Sequence, residues 1–430
     1  MMPTPNPRKS MPLDLTPILD SRITDQTKGV PGGTAPFALR DIAAQGWNVL
    51  REDLPLPLMV LRQSALLANA TVMQQYTAAA GVDLAPHGKT TMAPQLFDLQ
   101  LRTGSWGITA ATADQVLVMR RHGVQRIILA NQLVGRANVA AVVQELNADA
   151  SFDFYCLVDS PELADRLAAD ARDAGLTRPI QVLLEAGAAG KRTGCRDHAT
   201  ATATLQAIRR HPGILALAGI EGFEGVLPDA AAVDQFLAFT VSLVDLLEPG
   251  DLEGRSELLL TAGGSAYFDR VVAAFTGVTA PIPTRIVLRS GCYLTHDSGI
   301  YDQLMDATRS RGWRHTLQPA LEAWCAVQSR PDPDLAVLTM GKRDVPYDSG
   351  LPVPLRIYRR GQGFLPAPAG ELIGTNDQHG MWRIPADADL QVGDLVACGI
   401  SHPCTAFDKW RLIPVVDDDY TVIDGILTYF

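Results

Sequence analysis

The sequence predicts an α/β protein: a (β/α)8 TIM-type barrel over residues 57–305, joined to a second, mainly antiparallel β-domain built from residues 1–56 and 306–430. Two observations carry this reading. Between residue 83 and about residue 305, eight short β-rich runs alternate with stretches rich in Ala and Leu. That alternation makes a parallel sheet, and eight units close a barrel. Past residue 310 the helical pattern stops, and short strand candidates appear between Pro, Gly and Asp clusters, as in antiparallel sheets.

In order, the eight runs are VDLAPHG, WGITAA, RIILAN, FDFYCLVD, IQVLLEA, LALAGIE, ELLLTA and RIVLRS. The segments between them, such as DQVLVMRRHG and PELADRLAADARDAG, are amphipathic and end in Gly, a frequent helix C-cap. LMVLR at 58–62 reads as a strand contributed to the C-terminal domain, while the rest of the first 56 residues is harder to place. The later strand candidates are LAVLTM, LRIYRR, DLVACGI and YTVIDGILTYF.

Bulk properties narrow the function. With 47% hydrophobic and 20% charged residues among 430, the chain has an ordinary globular balance. Its net charge of −10, with no Lys/Arg run longer than a dipeptide, argues against a nucleic-acid partner. No apolar run is long enough for a membrane span, and no secretory signal is evident. Six cysteines without a CxxC pair read as reduced thiols, so a cytoplasmic location is expected.

Barrels of this kind carry reactive groups at the C-terminal ends of their strands. Lys89 ends the first strand in PHGKT, with His87 two residues earlier on the same face. A lysine in a barrel mouth is partly desolvated and becomes a nucleophile or Schiff-base partner; on position alone, a lysine emerging to solvent is the commoner case. Gly263, Gly264 and Ser265 follow the seventh run and offer backbone N–H groups and a hydroxyl to a phosphate; an ordinary glycine turn is the alternative. Arg192, in the Gly-rich EAGAAGKRTGCR, is placed for a cofactor ring or an anion, or is a surface arginine. His402 and Cys404 in HPC are spaced to share one face of a β-segment and one metal ion. A thiolate with an imidazole suits zinc better than magnesium, although His-x-Cys also occurs by chance.

Taken together, PHGKT (86–90), GAAGKRTG (187–194), TAGGS (261–265), GCYLTHD (291–297), DQHG (377–380) and HPC (402–404) occur in one order. In this the chain resembles the fold-type III, alanine-racemase-like pyridoxal phosphate enzymes, specifically the metal-dependent D-serine dehydratase and D-threonine aldolase group. The resemblance implies that Lys89 is the Schiff-base lysine. It makes Gly263, Gly264 and Ser265 the phosphate cradle, and Tyr293 a tyrosine near that phosphate. Arg192 becomes the cofactor-side arginine, with His87 beside the cofactor. His402 and Cys404 become the metal pair, taking Zn2+ or alternatively Mn2+; the aldolase branch more often has an acidic residue at the second place. Two departures stand out: GIEGFEG puts Phe223 where relatives often carry tyrosine, and TTM follows the lysine where a histidine after the Thr is common.

The resemblance further implies a homodimer acting on a small D-amino acid. The activity expected is dehydration of a D-β-hydroxy amino acid, D-serine most simply, to a 2-oxo acid and ammonia. The alternatives are a D-threonine-type retro-aldolase giving glycine and an aldehyde, and a pyridoxal phosphate-binding protein without turnover.

Overall fold

The computed structural model describes residues 12–430. After a small pairing of Arg22–Ile23 with Phe37–Ala38 come strand β1 (Leu58–Arg62) and helix α1 (Gln63–Ala80). Eight parallel strands follow, each inside or overlapping a run marked by the sequence. They are β2 (Asp83–Leu84), β3 (Ile108–Ala110), β4 (Arg126–Gln132), β5 (Asp153–Val158), β6 (Ile180–Ala186), β7 (Leu215–Gly222), β8 (Leu258–Ala262) and β9 (Thr284–Leu288).

These strands pair in the order β2-β9-β8-β7-β6-β5-β4-β3. The two ends of that order meet through a bridge between His87 and Thr109, with Trp106 N–H donating to the Leu84 carbonyl at 2.7 Å. All five residues of β8 are buried, as expected of a parallel strand covered on both faces. Inside, Ala85, Ile128, Tyr155, Leu157, Leu183, Ala218, Leu259 and Val287 form one cluster, with Trp106 packed against it. Four of the barrel helices start on a side-chain cap: Thr112, Ser160, Asp197 and Asp229 each accept from the N–H three residues on. Each such cap stabilises its helix by about 1 kcal/mol and holds the loop leaving the strand's C-terminal end.

Gly219 lets β7 and β8 approach. A Cβ there would lie 2.1 Å from the Leu259 carbonyl oxygen and 2.7 Å from its Cβ, neither of which is a flexible side-chain tip. Gly219→Ala is therefore expected to destabilise the protein by about 1–3 kcal/mol, read as an earlier urea midpoint with an unchanged slope.

The second sheet has ten strands. Beyond the barrel it contains β10 (Leu321–Asp332), β11 (Leu335–Leu338), β12 (Val353–Arg359), β13 (Gly363–Pro366), β14 (Glu371–Thr375), β15 (Gly380–Arg383), β16 (Leu395–Gly399), β17 (Leu412–Val416) and β18 (Val422–Leu427). Its main path runs β13-β12-β16-β10-β11-β15-β14. β1 joins it antiparallel to β10 and parallel to β17, which pairs in turn with β18.

Two compact units result. One holds Gln74–Lys89 and Phe97–Gly291 and takes in Leu13; the other holds Asp14–Met73, Thr90–Leu96 and Cys292–Phe430. The chain thus divides near 73 and 291, whereas the sequence placed its divisions at 57 and 305. At the first of these, β1 belongs with the second sheet, in which its Leu58, Met59, Val60 and Leu61 are buried. No helix among the described residues is long and apolar enough to cross a membrane.

Candidate active site

In the barrel unit, Lys89 sits on a single 3-10 turn, Gly88–Thr90, directly past β2. Gly88 makes that turn possible: a Cβ there would lie 2.6 Å from Met119 Cε, 2.8 Å from Ile108 Cγ2 and 2.9 Å from Phe97 Cε1. Lys89 is half-buried. His87 feels its charge together with those of Arg289 and Arg192, and burial followed by these three cations holds the imidazole well below its usual range. Lys89, His87 and Arg192 are thereby gathered at one end of the barrel, in a cationic setting that favours an anionic ligand. His87 Nδ1 is buried without a hydrogen-bond partner among the described residues, and so is Glu221 Oε2.

Arg192 is exposed, and its guanidinium lies 5.2 Å from the centroid of the Phe223 ring. Phe223 thus offers Arg192 an aromatic face.

Gly263 has a left-handed backbone (φ 92°), and a Cβ there would meet Leu288 Cδ2 at 2.7 Å. The Gly263 and Gly264 N–H groups both donate to the Glu224 carboxylate, at 3.1 and 2.6 Å. Ser290 Oγ donates to the carbonyls of both glycines at 3.0 and 2.8 Å. In this structure both glycine N–H donors are taken up by the Glu224 side chain. Ser265 is half-buried on the turn that follows.

Sequence reasoning did not single out Arg289 among the buried charges below this rim. Arg289, on the end of β9, contacts Glu221 Oε1 and donates to Thr261 Oγ1 at 2.9 Å and to the Gly222 carbonyl at 3.1 Å. Burial pushes Glu221 up to about 8 despite that guanidinium, and the Glu185 and Glu224 carboxylates push the same way. Burial also raises Glu185, which accepts from Thr193 Oγ1 at 2.7 Å and from Gln132. An arginine ending an apolar run (RIVLRS) was the available signal.

In the second unit, Tyr293 is buried directly after Cys292. DQHG makes the turn between β14 and β15, where Asn376 N–H donates to the His379 carbonyl at 2.8 Å. His402 and Cys404 do not lie on a β-segment, contrary to expectation. His402 is left-handed (φ 65°), and Cys404 opens a helical turn, Cys404–Phe407. A non-glycine residue is held there because its N–H donates to Asp297 Oδ2 at 2.9 Å, against the usual cost of such a conformation.

His402 Nδ1 lies 2.5 Å from Asp348 Oδ2, and Asp348 Oδ1 accepts from Thr405 Oγ1 at 2.7 Å. Cys404 Sγ lies 3.4 Å from Thr90 Oγ1 and 3.8 Å from Cys292 Sγ. Hydrogen bonds from Cys292, His402 and Thr90 hold the Cys404 thiol down to about 4, and the same thiolate lifts His402 to about 9. This donor set fits a zinc ion: the Cys404 thiol is held well below its usual range, and a carboxylate on Nδ1 leaves Nε2 as the ligand nitrogen. Among the described residues no three His, Cys, Asp or Glu side chains form a ready-made metal cage; the donors stand as pairs that share Cys404.

Residues 61–299 match the family model described as "Alanine racemase, N-terminal domain", and residues 320–416 the model described as "Putative serine dehydratase domain". A D-threonine aldolase of an Arthrobacter species is 25% identical over 401 residues, covering 91% of this chain and 93% of the relative. The crystal structure of D-threonine aldolase from Filomicrobium marinum has a TM-score of 0.70 at 22% identity, covering 89% of this chain and 96% of that one. D-threo-3-hydroxyaspartate dehydratase from Delftia sp. HT23 has a TM-score of 0.69 at 21% identity, covering 89% and 99%. An enzyme of that name has also been solved with a histidine replaced and, in a metal-free form, with a cysteine two positions later replaced.

Proposed function

Because the chain belongs to the alanine racemase N-terminal domain family, the fold-type III pyridoxal phosphate enzymes, we propose that it is a pyridoxal phosphate- and zinc-dependent lyase. The reaction is dehydration of a D-β-hydroxy amino acid, D-serine being the simplest, to a 2-oxo acid and ammonia. The observation that carries this reading is the Cys404 side chain hydrogen-bonded to a histidine already oriented by Asp348. The dehydratase variants at a histidine and a cysteine two apart support it.

When bound, pyridoxal phosphate withdraws electrons from the substrate Cα and the metal ion polarises the β-hydroxyl. Lys89 holds the cofactor covalently and, once released, its amine takes the Cα proton. Gly263, Gly264 and Ser265 hold the phosphate, with Tyr293 assigned to the same end. His87, kept neutral by burial and three cations, and Arg192 flank the ring. His402 Nε2 and the Cys404 thiolate hold the metal, and Asp348 fixes the imidazole. The products balance as pyruvate and ammonia from D-serine, the water lost at Cβ being regained on hydrolysis.

Incubation with D-serine is expected to yield pyruvate and ammonia in equal amounts, with chelators stopping the reaction. Glycine and acetaldehyde from D-threonine, without pyruvate from D-serine, would replace this reading with the retro-aldolase one. That second reading is supported by the aldolase named among the relatives. Cofactor binding with no product from either substrate would leave the non-catalytic carrier.

Glu224 makes a separate prediction. Its carboxylate occupies both glycine amides assigned to the phosphate, so the two anions compete. Glu224→Gln is expected to tighten pyridoxal phosphate binding to the apoprotein about tenfold, or ~1.4 kcal/mol, read by absorbance titration. Weaker binding would show instead that Glu224 shapes the loop.

A further inference from the structure

Cys292 is only 5% exposed, and its thiol does not face apolar neighbours alone. Its Sγ lies 3.7 Å from Thr90 Oγ1 and 3.8 Å from Cys404 Sγ, and Tyr301 also hydrogen-bonds to it. Two thiolates on one tetrahedral zinc, with Zn–S bonds of about 2.3 Å, stand about 3.8 Å apart. The Cys292–Cys404 separation already has that value, whereas a disulfide needs sulfurs about 2.0 Å apart.

The same unit contains a second thiol pair for contrast. Cys325 and Cys398 also hydrogen-bond to each other, on adjacent strands β10 and β16 and fully buried. Burial is the first cause that raises Cys325, and no histidine acts on it. Only the Cys292–Cys404 pair has an imidazole, with a carboxylate behind it, on one of its sulfurs. Cys404 belongs to both pairs, so Cys292 and His402, which do not form a ready-made cage with it among the described residues, would close on one ion as it binds.

We propose that Cys292 is a third protein ligand, making the metal centre Cys292–His402–Cys404 with one position left for the substrate hydroxyl. Three protein ligands and an open position are the usual arrangement of catalytic zinc, and two sulfurs with one nitrogen is among the known sets. Two thiolates also bias the site toward zinc over manganese or magnesium. This rests on the assignment of His402 and Cys404 to a metal, and the test separates the two claims.

X-ray absorption at the zinc edge of the wild-type holoenzyme is expected to show two sulfurs per zinc at about 2.3 Å. One sulfur overturns the role of Cys292 and leaves the pair. No sulfur overturns the metal assignment itself. In Cys292→Ser the sulfur count is expected to fall to one, and zinc affinity, read by competition with a colorimetric chelator, to fall about 10–100-fold, at least the loss seen for outer-shell partners. Two sulfurs persisting in that variant, or a Cys292–Cys404 disulfide in protein purified without oxygen, would also overturn the proposal. If the variant does not fold, the wild-type count alone decides.

Discussion

Lys89→Ala is expected to lower kcat by at least ~10^4-fold, the upper end of what one positioned proton-transfer group contributes, because in the proposed reading the same amine also tethers the cofactor. Borohydride treatment followed by peptide mass analysis should place the reduced cofactor on Lys89 in the wild type and nowhere in the variant. The turn that carries Lys89 depends on the close approach of Gly88 to Met119, Ile108 and Phe97, and Lys89→Ala leaves that packing untouched. Lost turnover in a protein with unchanged circular dichroism would therefore report chemistry and not collapse. An adduct on another lysine, or retained turnover, would remove Lys89 from its role.

Removal of the proposed metal is expected to have the second large effect. Chelated protein and Cys404→Ala are each expected to keep the cofactor's colour and lose pyruvate formation by about 10^2–10^3-fold, since expelling hydroxide at neutral pH draws on Lewis acidity worth several kcal/mol. The separation follows from the two sets of groups in the proposed reading: Lys89 and the Gly263–Gly264 turn would need no metal, while the polarised hydroxyl would. Cys404→Asp exchanges a soft ligand for a hard one and should shift the preferred ion toward manganese or magnesium. Dehydratase activity is then expected to fall and glycine release from D-threonine to rise. Undiminished pyruvate formation by protein shown by elemental analysis to be metal-free would return His402 and Cys404 to an ordinary loop.

The barrel was legible in the amino-acid sequence because each of its signals is local. A parallel strand covered on both faces is a short apolar run, and IQVLLEA and ELLLTA needed no partner to be recognised. Caps such as Ser160 and Asp229 act within three residues of themselves. The order of PHGKT, TAGGS and HPC is likewise a property of the chain alone. The second sheet was harder: β10 runs 12 residues into a polar end, SRPD, which carries no strand pattern, and β13, β14, β15 and β17 each contain a Gly or Pro that interrupts the run. The sequence marked LMVLR as a strand for the other domain, but its neighbours on β10 and β17 lie more than 250 residues away.

The site depended on tertiary structure for the same reason. Glu224 reaches the Gly263 and Gly264 amides from 39 and 40 residues away, Asp348 reaches His402 across 54, and Cys292 meets Cys404 across 112. None of these pairs leaves a periodicity, because a hydrogen bond between distant segments constrains two side chains and no repeat. The expectation that His402 and Cys404 share a β-face failed for a related reason. An i, i+2 spacing fixes a common face only where the backbone is extended, and Asp297, more than 100 residues earlier, holds His402 left-handed. Residue chemistry and local periodicity were written in the chain; which charges face which, and which thiols approach to metal-ligand spacing, came from packing between segments far apart in sequence.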